Sequence, residues 1–99
     1  MSQYIYKPSA TTSSGSWTGK TLKIVPGICF QLYAKAASSD TTFDIKIEDA
    51  YGVEIRKITG ITEIVNDLTK LPVNGVLTLT IENASADESF TLQMTVEEF

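Results

Sequence analysis

The amino-acid sequence predicts a single all-β domain, an antiparallel β-sandwich or jelly-roll-like domain of seven to eight short strands. Three observations support this class: apolar and polar residues alternate along several short segments, turn-forming residues separate those segments at intervals of roughly eight to twelve residues, and β-branched and aromatic residues are abundant. A chain of 99 residues is long enough for one core and too short for two ordinary domains.

The last quarter of the chain, residues 76–96, has the clearest pattern. Two runs alternate with a period of two, which predicts strands that are buried on one face. The expected inward-facing residues are Leu77, Leu79, Ile81, Phe90, Leu92, Met94 and Val96. Residues 83–89 between the runs are small or polar, so we expect the two strands to pair with each other as an antiparallel hairpin, covered by a second layer.

Residues 1–20 are expected to form an N-terminal arm or an edge strand with a linker rich in Ser, Thr and Gly, and residues 21–99 to form the sandwich. Residues 3–7 alternate briefly and then stop at a proline, which suits an edge strand or an extended arm. Residues 9–16 are small and polar without periodicity, as expected of a linker. Trp17 then either folds back over the core or contacts a partner.

The next part of the chain predicts two strands, at residues 22–25 and 28–34, separated by a Pro-Gly turn. In the second strand the two faces are expected to carry Ile28, Phe30 and Leu32 on one side and Cys29, Gln31 and Tyr33 on the other. Cys29 is the single cysteine, so it cannot form an internal disulfide, and we interpret it as a small packed or half-exposed strand residue.

A second hairpin is expected where residues 43–48 and 53–56 flank a polar turn, with Val53 and Ile55 facing inward. Residues 58–71 are ambiguous: a short strand around residues 61–65 is expected, with one helical turn as the alternative because the apolar spacing also fits a helix.

Composition restricts the possible partners. The net charge is −4, which argues against a nucleic-acid partner because phosphate binding needs a concentrated basic face. Residues 1–40 have a net charge of +3 and residues 41–99 a net charge of −7. This asymmetry can orient the domain on a partner or between copies of itself, whereas the alternative is that the charges only solvate the two ends of a sandwich.

The sequence predicts neither membrane insertion nor export. It contains no apolar run of membrane-spanning length, and its N-terminus lacks the features of a signal peptide. We therefore expect a protein made in a cytoplasm and kept there or assembled onto something there.

The sequence lacks the residue combinations of the common catalytic and metal sites. The absence of histidine and the single cysteine exclude Ser-His and Cys-His nucleophiles and the common zinc sites. Residues 14–21 end in Gly-Lys-Thr, but the first glycine of a phosphate-binding loop is missing and the flanking segments do not predict a strand before it and a helix after it. The spacing of the acidic residues matches no calcium loop. We expect no enzymatic activity, no cofactor and no metal.

Two segments carry a family resemblance: residues 42–55, TFDIKIEDAYGVEI, and residues 71–84, LPVNGVLTLTIENA. Over residues 42–97 the chain resembles the small β-sandwich decoration or cement proteins of tailed bacteriophages. This resemblance implies a non-enzymatic protein that binds the major capsid protein on the outside of an assembled shell, often as a homotrimer with an N-terminal arm. It also implies a location on the capsid surface of the virion after synthesis in the host cytoplasm.

If the chain binds a shell in this way, we expect Tyr4, Tyr6, Lys7 and Trp17 to contact the partner, because Tyr and Trp offer large, rigid contact areas. An arm that becomes ordered on binding adds contacts at an entropic cost of about 1–2 kcal/mol per residue. The alternative for Tyr4 and Tyr6 is an ordinary first strand of the sandwich.

A second hypothesis is a carbohydrate-binding module or the head of a phage fibre or adhesin, with a glycan stacked on Trp17, Tyr33 or Tyr51. Such a site needs two or three coplanar, exposed aromatic rings. The position of the aromatic side chains therefore separates the hypotheses: burial of the arm aromatics by protein favours the capsid, and a flat exposed platform favours a sugar. A structural subunit of another assembly is a third possibility.

Overall fold

The computed structural model describes residues 3–21 and 26–98, which form two antiparallel sheets packed face to face. The described strands are β1 (Gln3–Tyr6), β2 (Ser9–Thr11), β3 (Trp17–Lys20), β4 (Gly27–Ala36), β5 (Thr42–Glu48), β6 (Glu54–Thr62), β7 (Ile64–Asp67), β8 (Leu71–Val73), β9 (Thr78–Glu82) and β10 (Ser89–Glu98). Sheet I has the order β1-β10-β4-β7, with β2 also on β10 and β8 also on β4, and sheet II has the order β3-β9-β5-β6.

The ten described strands occupy eight strand positions. β1 and β2 both pair with β10, and β7 and β8 both pair with β4, so each of these pairs fills one position at an edge of sheet I. Pro8 interrupts the first pair because proline has no backbone N–H to donate. Eight positions in two sheets, connected largely by crossings between the sheets, form a jelly roll, which confirms the predicted fold class.

The expected hairpin at the end of the chain was wrong. β9 pairs with β3 and β5 in sheet II, whereas β10 pairs with β1, β2 and β4 in sheet I, so the connector at residues 83–88 crosses the sandwich. The predicted inward faces are confirmed: Leu77, Leu79, Ile81, Phe90, Leu92, Met94 and Val96 are all buried. A period of two determines which face of a strand is buried, and it contains no information about the neighbouring strand.

The second hairpin is confirmed, since β5 pairs antiparallel with β6. The inward orientation of Val53 was wrong, because the turn extends through this residue: the Asp49 N–H donates to the Val53 carbonyl over 2.9 Å, and Val53 is exposed. Ile55 packs against the core as expected.

The region around residues 61–65 forms strands, as expected, and no helical turn. These strands belong to different sheets. β6 ends at Thr62 in sheet II and β7 begins at Ile64 in sheet I. Glu63, with a φ of 63°, forms the corner. Its backbone is held by hydrogen bonds to Thr41 and Ala36, each 2.8 Å long, so the corner is fixed from both sides.

A register shift in β4 changes the expected faces of residues 28–33. Thr95 pairs with Gln31 and Val96 pairs with Cys29, which leaves Phe30 as an extra residue. Cys29 and Leu32 are therefore both buried, although strict alternation placed them on opposite faces. The burial of Cys29 confirms its interpretation as a packed strand residue. The strand expected at residues 22–25 lies outside the described residues.

Residues 3–20 contribute strands to both sheets. Of the two alternatives for the start of the chain, the structure has an edge strand, because β1 pairs with β10 from Gln3↔Glu97 to Tyr6↔Met94. The expected linker at residues 9–16 contains β2 and a tight turn closed by hydrogen bonds between Ser13 and Ser16. The division of the chain between residues 20 and 21 stays a prediction.

Candidate functional site

The first candidate surface is the N-terminal edge, which we define as residues 3–8. β1 pairs with β10 on one side, and its other side has no strand partner within the part of the chain that the structure describes. Ile5 projects from this edge and is 50% exposed, and Lys7 is also exposed. Residues 4–8 line a shallow hollow, so this edge combines a side on which no described strand pairs with an exposed apolar side chain.

Behind this edge, Tyr6 and Trp17 close the space between the two sheets. A Cβ atom on Gly19 would overlap the Trp17 ring and lie 2.6 Å from the Tyr6 hydroxyl, so the two aromatic side chains meet above this glycine. Tyr6 is 8% exposed and Trp17 packs against the core. Burial raises the pKa of Tyr6, and the neighbouring Tyr4 adds to this shift.

The four predicted contact residues therefore differ in accessibility. Tyr6 and Trp17 lie together against the core, Tyr4 is half-buried and packs against it, and Lys7 is exposed. Their contact with a partner stays a prediction. The sequence interpretation missed Ile5 as a surface residue. The alternation at residues 4–6 contained the signal, because a strand that turns both tyrosines inward must turn the isoleucine between them outward.

The second candidate surface is the β5–β6 turn, residues 49–53. One carboxylate oxygen of Asp49 accepts hydrogen bonds from the backbone N–H groups of Tyr51, over 2.8 Å, and Val53, over 3.0 Å. The Gly52 N–H donates to the Asp49 carbonyl over 3.1 Å, and Gly52 has a φ of 79°, which glycine adopts without strain. This well-fixed turn presents Tyr51, 91% exposed, and Val53, 59% exposed, to solvent.

At the opposite edge of the sandwich, an ion pair joins the two sheets. The Arg56 Nε atom of β6 donates to the Asp67 carboxylate of β7 over 2.9 Å. Burial alone would raise the pKa of Asp67, but hydrogen bonds from Arg56 and Thr69 outweigh it and hold the pKa below its usual value. Ile64 and Leu68 are exposed near this edge, 47% and 63% respectively.

A polar cluster fastens the loops at one end of the sandwich. The Thr12 hydroxyl donates to the Ser85 carbonyl over 2.6 Å and accepts from the Glu88 N–H over 2.9 Å. The Glu88 carboxylate accepts from the Ser38 N–H over 2.8 Å and from the Thr41 hydroxyl over 3.1 Å. The Ser38 backbone bond is the largest cause of the lowered pKa of Glu88, partly offset by desolvation. These bonds explain why polar side chains are buried here, and we interpret the cluster as structural.

The described residues contain neither a metal-binding cluster nor a membrane-spanning helix. Among residues 3–21 and 26–98, no group of three or more His, Cys, Asp or Glu side chains is placed to hold a metal ion. The same residues contain no helix with the length and hydrophobicity needed to cross a membrane. The expectations of no enzymatic activity, no cofactor and no metal stay predictions.

The aromatic residues proposed for sugar stacking lie on different elements. Trp17 is in β3 and packs against the core, Tyr33 is in β4 of the other sheet, and Tyr51 is in the β5–β6 turn. A glycan platform needs two or three rings in one exposed plane. This distribution therefore gives the carbohydrate hypothesis less support than a protein-binding role.

No protein-family model and no curated protein matches the sequence. Among solved structures, the infectious bursal disease virus VP2 subviral particle is similar with a TM-score of 0.47 and 15% identity, covering 95% of this chain and 31% of that chain. The Drosophila NLP core, described in connection with pentamer formation and histone binding, has a TM-score of 0.43 and 14% identity, covering 95% and 99% of the two chains. The structure of the Gt strain of the same virus has a TM-score of 0.43 and 10% identity, covering 95% of this chain and 30% of that chain.

These matches are distant structural similarities. The chain spans about a third of the length of the viral chains, with coverages of 31% and 30%. At such low identities and TM-scores, the matches assign no partner or activity to this chain. The jelly-roll assignment rests on its own strand order.

Proposed function

We propose that this chain is a non-enzymatic structural protein of a virus particle that binds the major capsid protein on the exterior of the shell. The single observation that carries the proposal is the fixed β5–β6 turn, which holds Tyr51 and Val53 away from the core on a well-packed sandwich. The resemblance of residues 42–97 to capsid decoration proteins includes this turn. Homo-oligomerisation belongs to the proposal, and the resemblance implies a trimer.

The turn suits protein binding for a physical reason. Tyrosine offers a large apolar ring with a polar tip, and such residues contribute strongly to protein interfaces. The hydrogen bonds from Asp49 order the turn before it meets a partner, so little conformational entropy is lost on binding. A surface hollow of about 230 Å³ beside the turn, lined in part by Lys20 and Glu48, offers polar groups at the rim of the same contact.

A shell presents many identical sites, so a modest contact at each site can give durable occupancy when the bound protein is itself oligomeric. We expect the chain to saturate shells at a fixed ratio to the capsid protein. A rigid two-sheet domain would then add contacts between neighbouring shell subunits and stabilise them, which is the role implied by the resemblance.

The test is co-sedimentation of the purified chain with empty shells of the virus that encodes it. We expect saturable binding, a loss of affinity of about tenfold or more for Tyr51→Ser, and a smaller loss for Val53→Ser. Leu68→Ser is the matched control, because Leu68 is also exposed and apolar but lies between β7 and β8.

Wild-type protein that ignores shells would refute the proposal. Equal effects of Tyr51→Ser and Leu68→Ser would refute the role of the turn. A glycan array is the parallel measurement for the carbohydrate hypothesis, which would gain support from binding that requires Tyr51 without any shell.

A further inference from the structure

We propose that the N-terminal edge binds a second copy of this chain, with β1 of one copy antiparallel to β1 of the other across a two-fold axis at Ile5. The two copies of sheet I would then form one continuous sheet. This inference deepens the homo-oligomerisation in the proposed function and replaces the trimer implied by the resemblance with a two-fold contact. It does not depend on shell binding, because the partner at the edge is the chain itself.

β1 is an edge strand of the described sheet, and the side chain of Ile5 is exposed on it. β1 has only β10 as a strand partner among the described residues, and Ile5 is half exposed between the half-buried Tyr4 and the buried Tyr6. Placing Ile5 opposite Ile5 of the second copy brings the two side chains into contact on the outer face and buries part of the apolar surface of each. A shift by two residues in either direction would instead place Ile5 opposite Gln3 or Lys7.

Charge complementarity supports the same register. With Ile5 on the axis, Lys7 of the second copy lies opposite Gln3, and Gln3 lies opposite Glu97 within its own sheet. Residues 3, 5 and 7 alternate with the inward-facing tyrosines, so these three side chains lie in a row on the outer face. Two strand spacings separate Lys7 of the second copy from Glu97 by about 10 Å between Cα atoms, within the combined reach of the two side chains.

Both charged groups are available for this contact. Within the part of the chain that the structure describes, neither Lys7 nor Glu97 forms an ion pair. Lys70 lines the same hollow as Glu97, and among the described residues the two form no ion pair. The two-fold axis would form the Lys7–Glu97 contact twice, once on each side of the apolar centre.

The long edge of sheet II, formed by β6, is less suited to strand pairing. β6 carries a bulge at Gly60, where φ is 64° and the backbone N–H donates to the Asp44 carboxylate over 2.9 Å. Bulges disturb the regular ladder that an added strand needs. In the N-terminal edge, the proposed pairs involve residues 3–7, so Pro8, which lacks an N–H, lies just outside the pairing.

The main test measures mass by light scattering or sedimentation from about 10 µM to about 1 mM, because a short strand pair belongs to the small, weak class of interfaces. We expect a concentration-dependent dimer. Ile5→Lys should raise the dissociation constant by about tenfold or more, since two lysines would meet on the axis. Ile64→Lys is the control, because Ile64 is similarly exposed at the opposite edge of the same sheet. Melting curves verify folding of both variants.

A charge exchange tests the register independently of Ile5. Lys7→Glu and Glu97→Lys should each weaken the dimer about fivefold, and the double variant should return to within about twofold of the wild type. Recovery in the double variant would not follow from a general loss of stability. Failure of the double variant to recover would overturn the proposed register.

Covalent trapping gives a direct readout of the axis. Ile5→Cys should form a disulfide-linked dimer under a mild oxidant, because directly opposed strand residues have Cα atoms about 4.5–5.5 Å apart. Ile64→Cys should not form such a dimer. The native Cys29 is buried, so we expect no disulfide from it.

A wild-type protein that is monomeric throughout the concentration range, or a trimer unaffected by Ile5→Lys, would overturn the inference. Tyr51→Ser should leave the dimer unchanged, so failure of dimerisation and failure of shell binding are distinguishable.

Discussion

Thr12→Val tests whether the polar cluster at the end of the sandwich holds its loops together. Valine has nearly the shape of threonine, so the substitution removes hydrogen bonds while leaving the volume almost unchanged. The Glu88 N–H is buried and would lose its 2.9 Å acceptor, at a cost of about 1–3 kcal/mol. The Ser85 carbonyl would lose its 2.6 Å donor, but Ser85 is exposed and water can replace it, so this adds about 0.5–1 kcal/mol.

The free energy of unfolding, measured by urea or guanidinium denaturation, should therefore fall by about 1.5–4 kcal/mol. For a domain of this size the melting temperature should fall by about 6–30 °C. Thr11→Val is the matched control: Thr11 is exposed, and its hydroxyl has only a 3.4 Å contact with the Ser89 hydroxyl. Its effect should stay within about 0.5 kcal/mol. A similarly small effect of Thr12→Val would show that the cluster does not fasten the loops.

Two further predictions concern acid stability and the N-terminal strands. The pKa of Glu88 is lower in the folded protein than its ordinary value of 4.5, so its contribution to stability is present above that value and is lost as the pH falls through the folded pKa. Denaturation midpoints measured from about pH 5 to about pH 2 should fall less steeply in Glu88→Gln than in the wild type, and parallel profiles would exclude this role. Deleting residues 1–16 removes β1 and β2 from β10, so we expect loss of cooperative unfolding in a thermal melt, whereas a retained sharp transition would support a separable arm.

Local features of this fold are predictable from the sequence because they depend on neighbouring residues. The β5–β6 hairpin follows from alternation on both sides of a polar turn, and the burial of Leu79 and Met94 follows from strand periodicity. The partners of β9 and β10 are not predictable in this way. The seven small or polar residues at 83–89 can make a hairpin loop or cross between sheets, and only the rest of the chain determines which.

The candidate surfaces show the same limit. Ile5 is identifiable as a surface residue only when both neighbouring tyrosines are known to face inward, and the Tyr6 side chain lies beside Trp17 of the opposite sheet, a contact between distant parts of the chain. Val53 continues an apolar alternation, yet the hydrogen bonds of Asp49 place it in the turn. In each case a contact from another element, or a local side-chain bond, overrides the strand pattern.

The position of β10 has a consequence for how the molecule is made. β10 is the last of the ten described strands in the chain, yet it lies inside sheet I between β1 and β4. During synthesis β1 and β4 therefore lack their common partner, and their apolar faces stay uncovered, until residues 89–98 leave the ribosome. Pairing of residues so distant in sequence is slow, in the range of milliseconds to seconds for all-β domains. The nascent chain is thus exposed to aggregation until its final strand inserts.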